Sequence, residues 1–159
     1  MKIIVVSDTH GRIEEFLEQI EKMDKIDMII HLGDYLEDGL EIEEKTGIKT
    51  MVVKGNGDFL HPGYSEDKIF DIKGKKIFIT HGHRYNVRYG VDNLLYKGEE
   101  IKADLVLFGH THVSTLSEES GIIVMNPGSP SLPRGFKGKK TFGIIEIDKD
   151  IKIEIVELN

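Results

Sequence analysis

Short apolar runs alternate with segments of helical periodicity in the first third of the chain. Three runs are almost entirely apolar and rich in β-branched residues, as is typical of buried strands: residues 2–7, 28–32 and 50–53. Apolar residues at helical spacing predict an amphipathic helix over residues 12–23. A second helix is predicted to begin at a capping box of Asp38 and Glu41 and to end at Gly47. The order strand, helix, strand, helix, strand predicts parallel α/β units.

The rest of the chain adds more strands and one helix. A hairpin is predicted from residues 68–72 and 76–80, and a helix is predicted within residues 87–101. Four more strands are predicted: residues 105–108, 122–125, 141–147 and 151–158. The last of these alternates apolar and charged residues, as a strand with one face in water does. We therefore predict an α/β fold with two β-sheets, partly parallel and partly antiparallel, and with helices outside.

Polar residues follow five of these strands in glycine-containing turns. The candidates are Asp8, His10, Asp34, Asn56, Asp58, His81, His83, His110 and His112. Because ligands bind at the carboxyl ends of strands in α/β sheets, these segments are expected to converge. Asp, Asn and His are ligands for divalent Mn, Fe, Zn, Co or Ni. The number of candidates exceeds what one tetrahedral site needs, and a pair of adjacent metal ions fits it better.

The composition and net charge exclude several kinds of partner and site. The 159 residues are 39% hydrophobic and 31% charged, as expected for one globular domain covering residues 1–159. The net charge of −7, without basic clusters, argues against long nucleic acid as a partner. The absence of cysteine excludes disulfides and thiolate metal sites. No secretory signal or membrane span is evident in the sequence, so a cytoplasmic location without membrane binding is expected.

The ordered motifs D-x-H, G-D, G-N-x-D, H-G-H and G-H-T-H resemble those of the calcineurin-like metallophosphoesterases. The pattern looks closest to the small, single-domain bacterial and archaeal phosphodiesterase branch. It extends over about residues 2–133 and includes an N-P-G-S turn at residues 126–129. The resemblance implies a four-layer α/β/β/α sandwich. It also implies a metal-dependent phosphodiesterase, in which a hydroxide bridging two divalent ions attacks phosphorus in line.

The resemblance also implies which side chains bind the metals. Seven ligands are implied: Asp8, His10 and His112 for one ion, Asn56, His81 and His110 for the other, and Asp34 bridging them. Two ions per chain are expected, with manganese as the first choice and Ni, Fe, Zn or Co as the others. The expected substrate is a small phosphodiester.

One position departs from the family pattern. Many relatives have a histidine after the motif's asparagine, and it is thought to protonate the leaving alcohol, but Gly57 stands here. We therefore expect activity to favour acidic leaving groups, with His83 or His61 as replacement acids. Arg84, like Arg88, could meet the substrate phosphate, although both could equally be surface residues. Three residues are accordingly assigned to catalysis: His83, Asp58, which would hold a histidine in its tautomer, and Arg84.

The sequence also allows other interpretations of function. The same centre could serve a phosphomonoesterase or nucleotide phosphatase. The resemblance also reaches a retromer subunit that acts as a non-catalytic scaffold, although such a protein is expected to have lost some ligands. The turn at residues 126–129 could bind an anion through backbone N–H groups or be a plain turn. His31 is expected in the core, and the terminal edge strand makes a homodimer possible.

Overall fold

The computed structural model describes residues 1–159 as two mixed five-stranded sheets with helices on the outside. The strands are β1 (Lys2–Val6), β2 (Met28–His31), β3 (Thr50–Val52), β4 (Asp67–Ile72), β5 (Lys75–Thr80), β6 (Leu105–Leu107), β7 (Thr115–Glu119), β8 (Ile122–Asn126), β9 (Thr141–Ile147) and β10 (Ile151–Glu157). The α-helices are α1 (Glu14–Glu21), α2 (Leu36–Thr46) and α3 (Asp92–Ile101). None of the three combines the length and the apolar character needed to cross a bilayer.

Each sheet joins parallel and antiparallel pairs. The first sheet has the order β10-β9-β1-β2-β3, in which β1, β2 and β3 are parallel. The second has the order β4-β5-β6-β8-β7, in which β5, β6 and β8 are parallel. The parallel strands therefore form the middle of the second sheet and one side of the first. Their carboxyl ends lead into the turns that carry the candidate ligands.

Three apolar clusters define the four layers. The central cluster joins the inner faces of the two sheets, with Ile3 and Val5 from β1 packed with Ile77 and Ile79 from β5. A second cluster packs α1 and α2 on the outer face of the first sheet. The third packs α3 on the outer face of the second sheet. The predicted α/β/β/α sandwich is confirmed, because alternate residues along the central strands are buried against different layers.

The structure confirms one of the predicted helices and corrects another. The helix predicted within residues 87–101 is α3, which begins at Asp92 because Gly90 has a φ of 135° and two short 3₁₀ turns precede it, His83–Tyr85 and Val87–Tyr89. The helix α2 begins earlier than Asp38, whose carboxylate instead accepts a hydrogen bond from the backbone N–H of Gly11 at 2.8 Å.

One strand was missed by the sequence reading. Strand β7 is exposed at every position, so it has none of the apolar alternation that identifies a strand.

Candidate metal centre

The candidate ligands lie on turns at one end of both sheets. Asp8 and His10 follow β1, Asp34 follows β2, and Asn56 follows β3. His81 follows β5, and His110 and His112 follow β6. The backbone N–H of His110 donates to Oδ2 of Asp8 at 3.0 Å, and Nδ1 of His81 lies 2.7 Å from the carbonyl oxygen of Leu32. These contacts join the turns of one sheet to those of the other.

One group of ligand atoms comes from Asp8, His10 and His112. Their candidate ligand atoms all lie within 4.8 Å of one another. The Nε2 atoms of His10 and His112 are 3.2 Å apart, and Nε2 of His112 is 3.3 Å from Oδ1 of Asp8. Atoms that bind one cation at ~2.1 Å in tetrahedral geometry lie about 3.4 Å apart. The spacing therefore suits a shared divalent cation.

A second group brings His81 together with His110 and Asp34. Nε2 of His81 lies 3.3 Å from Nδ1 of His110 and 3.4 Å from Oδ1 of Asp34. Asp8, Asp34 and His81 also have candidate ligand atoms within 4.8 Å of one another, so the two groups adjoin. Asn56 is exposed, and the next residue, Gly57, donates its backbone N–H to Oδ1 of Asp34 at 2.9 Å, which joins the turn of Asn56 to that of Asp34.

The carboxylate of Asp8 tests whether these residues fit a cation. It is fully buried, and Oδ2 accepts hydrogen bonds from Oγ of Ser7 at 2.7 Å and from the backbone N–H of His110. Oδ1 is buried and has no hydrogen-bond partner. A buried carboxylate oxygen without a partner is costly unless a cation compensates it. The donor set thus fits a divalent metal ion.

Backbone carbonyls fix the tautomers of two of the histidines. Nδ1 of His81 donates to the carbonyl of Leu32, and Nδ1 of His112 donates to the carbonyl of Leu132 at 2.7 Å. In the neutral imidazole each Nε2 then holds the lone pair, and both Nε2 atoms face the ligand clusters. Such outer partners orient a metal-binding histidine.

The protonation of these groups follows from their mutual contacts. Burial opposes ionisation of Asp8, but the neighbouring imidazoles of His112 and His81 outweigh it and lower the pKa of Asp8. Burial likewise opposes the charged form of His112, but Asp8 outweighs it and raises the pKa of His112. Burial, then the charges of His81 and Arg88, lower the pKa of His110 to about 4. Near neutral pH, His110 is therefore an uncharged imidazole with one ring-nitrogen lone pair.

The backbone is strained at these turns. Left-handed φ values between 50° and 70° occur at five of the seven predicted ligands: Asp8, His10, Asp34, His110 and His112. Tyr35, next to Asp34, has a φ of 69° as well, and its ring centroid lies 5.1 Å from that of His10. Left-handed backbone is uncommon outside glycine and concentrates at functional sites.

Asp58 does not have the expected role. Its carboxylate does not hold a histidine, because its oxygens accept hydrogen bonds from the backbone N–H groups of Asp34, Leu36 and Gly55 at 2.7–2.9 Å. These bonds join the turn that carries Asp34 to the turn that carries Asn56. Asp58 thus positions the turns that carry two predicted ligands.

The two arginines have different partners. The guanidinium of Arg84 pairs with Glu66 at 2.6 Å, so its charge is compensated there. Arg88 instead contacts a predicted ligand, with Nε 3.1 Å from Nε2 of His110. His83 is half-buried beside His81, with ring centroids 5.4 Å apart, and its Nδ1 has no hydrogen-bond partner.

The other two histidines have local partners. His31 is fully buried, accepts the backbone N–H of Gly33 at Nδ1 and contacts Oγ1 of Thr9 at Nε2, as a core histidine should. His61 contacts Glu37 at 2.6 Å. The proposal that His61 replaces the missing acid receives no support from this contact.

The turn at residues 126–129 braces the site with side chains. The amide of Asn126 donates to the carbonyl of Gly109 at 2.9 Å, and Oγ of Ser129 donates to the carbonyl of Asp8 at 2.8 Å. Sequence reasoning missed this role. It also missed Arg134, whose positive charge lowers the pKa of His10 after the larger effects of burial and His112. No local sequence signal marks these long-range contacts.

One surface cleft lies away from the predicted ligands. It has a volume of about 790 Å³ and lies at the other end of the first sheet, where Met1, Lys2 and Asp148 line it. The buried polar groups lie instead at the ligand clusters, which are the candidate functional site.

Comparisons with known proteins agree with this geometry. A family model described as "calcineurin-like phosphoesterase superfamily domain" matches residues 1–150. The phosphodiesterase MJ0936 of Methanocaldococcus jannaschii is 30% identical over 174 aligned residues, which cover 98% of this chain and 99% of the relative.

Two solved structures show the same fold. A conserved uncharacterized protein from Streptococcus pneumoniae, described as a predicted phosphoesterase, is 34% identical and superposes with a TM-score of 0.83 over 98% of this chain and 88% of its own. Vps29 from Entamoeba histolytica in complex with Zn²⁺ has a TM-score of 0.80 at 23% identity, with full coverage of both chains. At that identity, the likeness to Vps29 concerns the fold alone.

Proposed function

This chain belongs to the calcineurin-like phosphoesterase superfamily, and on that premise we propose that it is a phosphodiesterase with two divalent metal ions. The observation that carries the proposal is Oδ1 of Asp8, a buried carboxylate oxygen without a hydrogen bond. It lies 3.3 Å from Nε2 of His112 and 3.8 Å from Nε2 of His81, so it lies between the two histidine pairs.

Seven side chains would hold the ions: Asp8, His10 and His112 one of them, Asn56, His81 and His110 the other, and Asp34 both. When bound, two such ions lower the pKa of water towards ~7 and stabilise the charge on phosphate oxygens. Manganese is the first choice, with Ni, Fe, Zn and Co as alternatives.

The chain's own residues prepare the site for this chemistry. Asp8 and Asp34 supply two negative charges against the four positive charges of the ions, so the centre keeps a net positive charge. That charge attracts an anionic ester despite the overall charge of −7. Ser7 and the backbone N–H groups of His110 and Gly57 hold the two carboxylates in place, so little reorganisation is needed when substrate binds.

The leaving group receives little help from the chain. At residue 57, where many relatives have a histidine, this chain offers only a backbone N–H, and it donates to Asp34. His83 is the remaining candidate acid near the ligands, since its ring adjoins both His81 and His110. Hydrolysis is therefore expected to favour esters of acidic alcohols such as phenols.

Paired assays of bis(p-nitrophenyl) phosphate and p-nitrophenyl phosphate with Mn²⁺ test this proposal. The diester should be cleaved faster, and Asn56→Ala and His110→Ala should lower its kcat by several orders of magnitude. His61→Ala is the matched control, because His61 contacts Glu37 and no predicted ligand, and should retain activity. Much faster cleavage of the monoester would favour a phosphomonoesterase or nucleotide phosphatase instead.

A binding scaffold is the second candidate function. Three apolar side chains near the ligand-bearing turns are highly exposed, namely Phe59 at 77%, Leu60 at 75% and Tyr89 at 93%. Exposed apolar side chains favour protein contacts where they form a contiguous patch. Wild-type protein that binds cations but hydrolyses neither ester would favour the scaffold.

A further inference from the structure

A chain of hydrogen bonds runs from Arg88 through two predicted ligands to the backbone. Nε of Arg88 lies 3.1 Å from Nε2 of His110, and Nδ1 of His110 lies 3.3 Å from Nε2 of His81. Nδ1 of His81 lies 2.7 Å from the carbonyl oxygen of Leu32. A carbonyl only accepts, and arginine only donates. The direction is therefore fixed: Arg88 donates to His110, His110 donates to His81, and His81 donates to Leu32.

This arrangement uses the only lone pair that a neutral imidazole offers. Nε2 of His110 accepts from Arg88, and Nδ1 carries the proton. A cation bound at Nδ1 would need the proton on Nε2, where two N–H groups would then face each other. A cation bound at Nε2 would take the lone pair that Arg88 uses. In either case, His110 cannot bind a cation and accept from Arg88 at once.

We propose that Arg88 is a phosphate-binding residue that His110 holds until His110 coordinates a cation, and then releases toward the substrate. The inference rests on the proposed function, since it assumes a cation at His110 and a phosphate ester beside it. Arg88 would be a substrate-contacting residue, and its position would report on whether the centre is loaded.

The surroundings of Arg88 suit such a movement. It is exposed and lies in a single 3₁₀ turn, Val87–Tyr89, between Asn86 with a φ of 54° and Gly90 with a φ of 135°. No carboxylate pairs with it, whereas Arg84 is held by Glu66 at 2.6 Å. A free guanidinium can donate two parallel hydrogen bonds to phosphate oxygens.

Calorimetric titration of metal-free protein with Zn²⁺ tests whether Arg88 competes with a cation for His110. The binding step that His110→Ala abolishes should be about three- to tenfold tighter in Arg88→Met, because no donor then competes for the lone pair. Arg84→Met is the matched control and should leave this step unchanged. In nitrogen-15 NMR spectra, the Nε–H signal of Arg88 should change on addition of Zn²⁺, whereas that of Arg84 should not.

Binding of inorganic phosphate to the Zn²⁺-loaded protein tests whether Arg88 binds the phosphate group. Arg88→Met should weaken phosphate binding about tenfold, while Arg84→Met should not. Cation binding and phosphate binding thus change in opposite directions in one variant. A structural defect would weaken both.

Two outcomes distinguish a failure of this inference from a failure of the proposed function. If Arg88→Met binds Zn²⁺ and phosphate as the wild type does, and the wild type hydrolyses the diester, this inference alone is overturned. If no Zn²⁺ binding step depends on His110, both this inference and the proposed function are overturned.

Discussion

At the residue scale, the close packing of the backbone around the Asp8 carboxylate fixes the position of that carboxylate. A methyl group at Gly109 would overlap Oγ of Ser7 and lie 2.8 Å from Oδ2 of Asp8. Gly109→Ala should displace the carboxylate and lower both cation affinity and diesterase kcat at least tenfold. Gly63→Ala is the matched control, because nothing lies within 4 Å of the added atom there and the φ is not positive. Equal activity of the two variants would show that Asp8 needs no fixed position.

The buried histidine His31 makes stability depend on pH. Burial lowers its pKa from 6.5 to about 4, so the unfolded chain takes up a proton between these values and the folded chain does not. Stability from His31 is therefore present above pH 6.5 and is lost as the pH falls towards 4. Between pH 7 and pH 5 the loss should be about 2 kcal/mol.

Urea unfolding of metal-free protein at the two pH values measures this loss. His31→Gln should lose about 2 kcal/mol less than the wild type over the same interval, because it removes the buried group that titrates. An identical pH dependence in both proteins would contradict the assignment of His31 as a buried neutral imidazole.

The predicted ligands could be placed from the sequence because residue type and position after a strand both point to them. The contact between Arg88 and His110 could not, since it joins residues whose separation of 22 positions encodes no local pattern. The left-handed φ values at His10 and His112 could not be predicted either, because histidine, unlike glycine, rarely adopts that conformation.

Asp58 links ligand-bearing turns at the scale of elements. Its buried carboxylate accepts three backbone N–H groups, from Asp34, Leu36 and Gly55. Asp58→Ala should leave these donors without partners and lower the free energy of unfolding by about 3 kcal/mol or more. Cation affinity should fall as well, because the turns that carry Asp34 and Asn56 would separate.

Chemical denaturation and Zn²⁺ titration measure the two effects. Asp71→Ala is the matched control, since Asp71 is exposed on β4, and should change neither quantity. A stable Asp58→Ala variant with normal cation affinity would contradict the positioning role.

Most strands could be predicted because their apolar runs are buried on both faces, as β1 is. The residue at which α3 begins was left open within residues 87–101, because the break before it depends on the backbone φ of 135° at Gly90. The start of α2 was obscured by Tyr35, whose left-handed φ of 69° replaces an ordinary side-chain cap.

At the scale of the whole molecule, the centre lies where the two sheets meet. Asp8, His10, Asp34 and Asn56 come from the first sheet, and His81, His110 and His112 come from the second. The sequence predicted this convergence because parallel strands present their carboxyl ends at one edge. It did not predict the contacts that join the sheets there, since these depend on how the sheets pack. The edge position of β10 is confirmed, and a homodimer through it stays a prediction.

Anomalous-difference crystallography of Mn²⁺-loaded protein tests the central claim most directly. We predict two peaks about 3.5–4 Å apart, one beside Asp8, His10 and His112 and the other beside His81 and His110, with Asp34 touching both. A single peak at this site, or no peak among these side chains, would contradict the proposal of a two-metal phosphodiesterase.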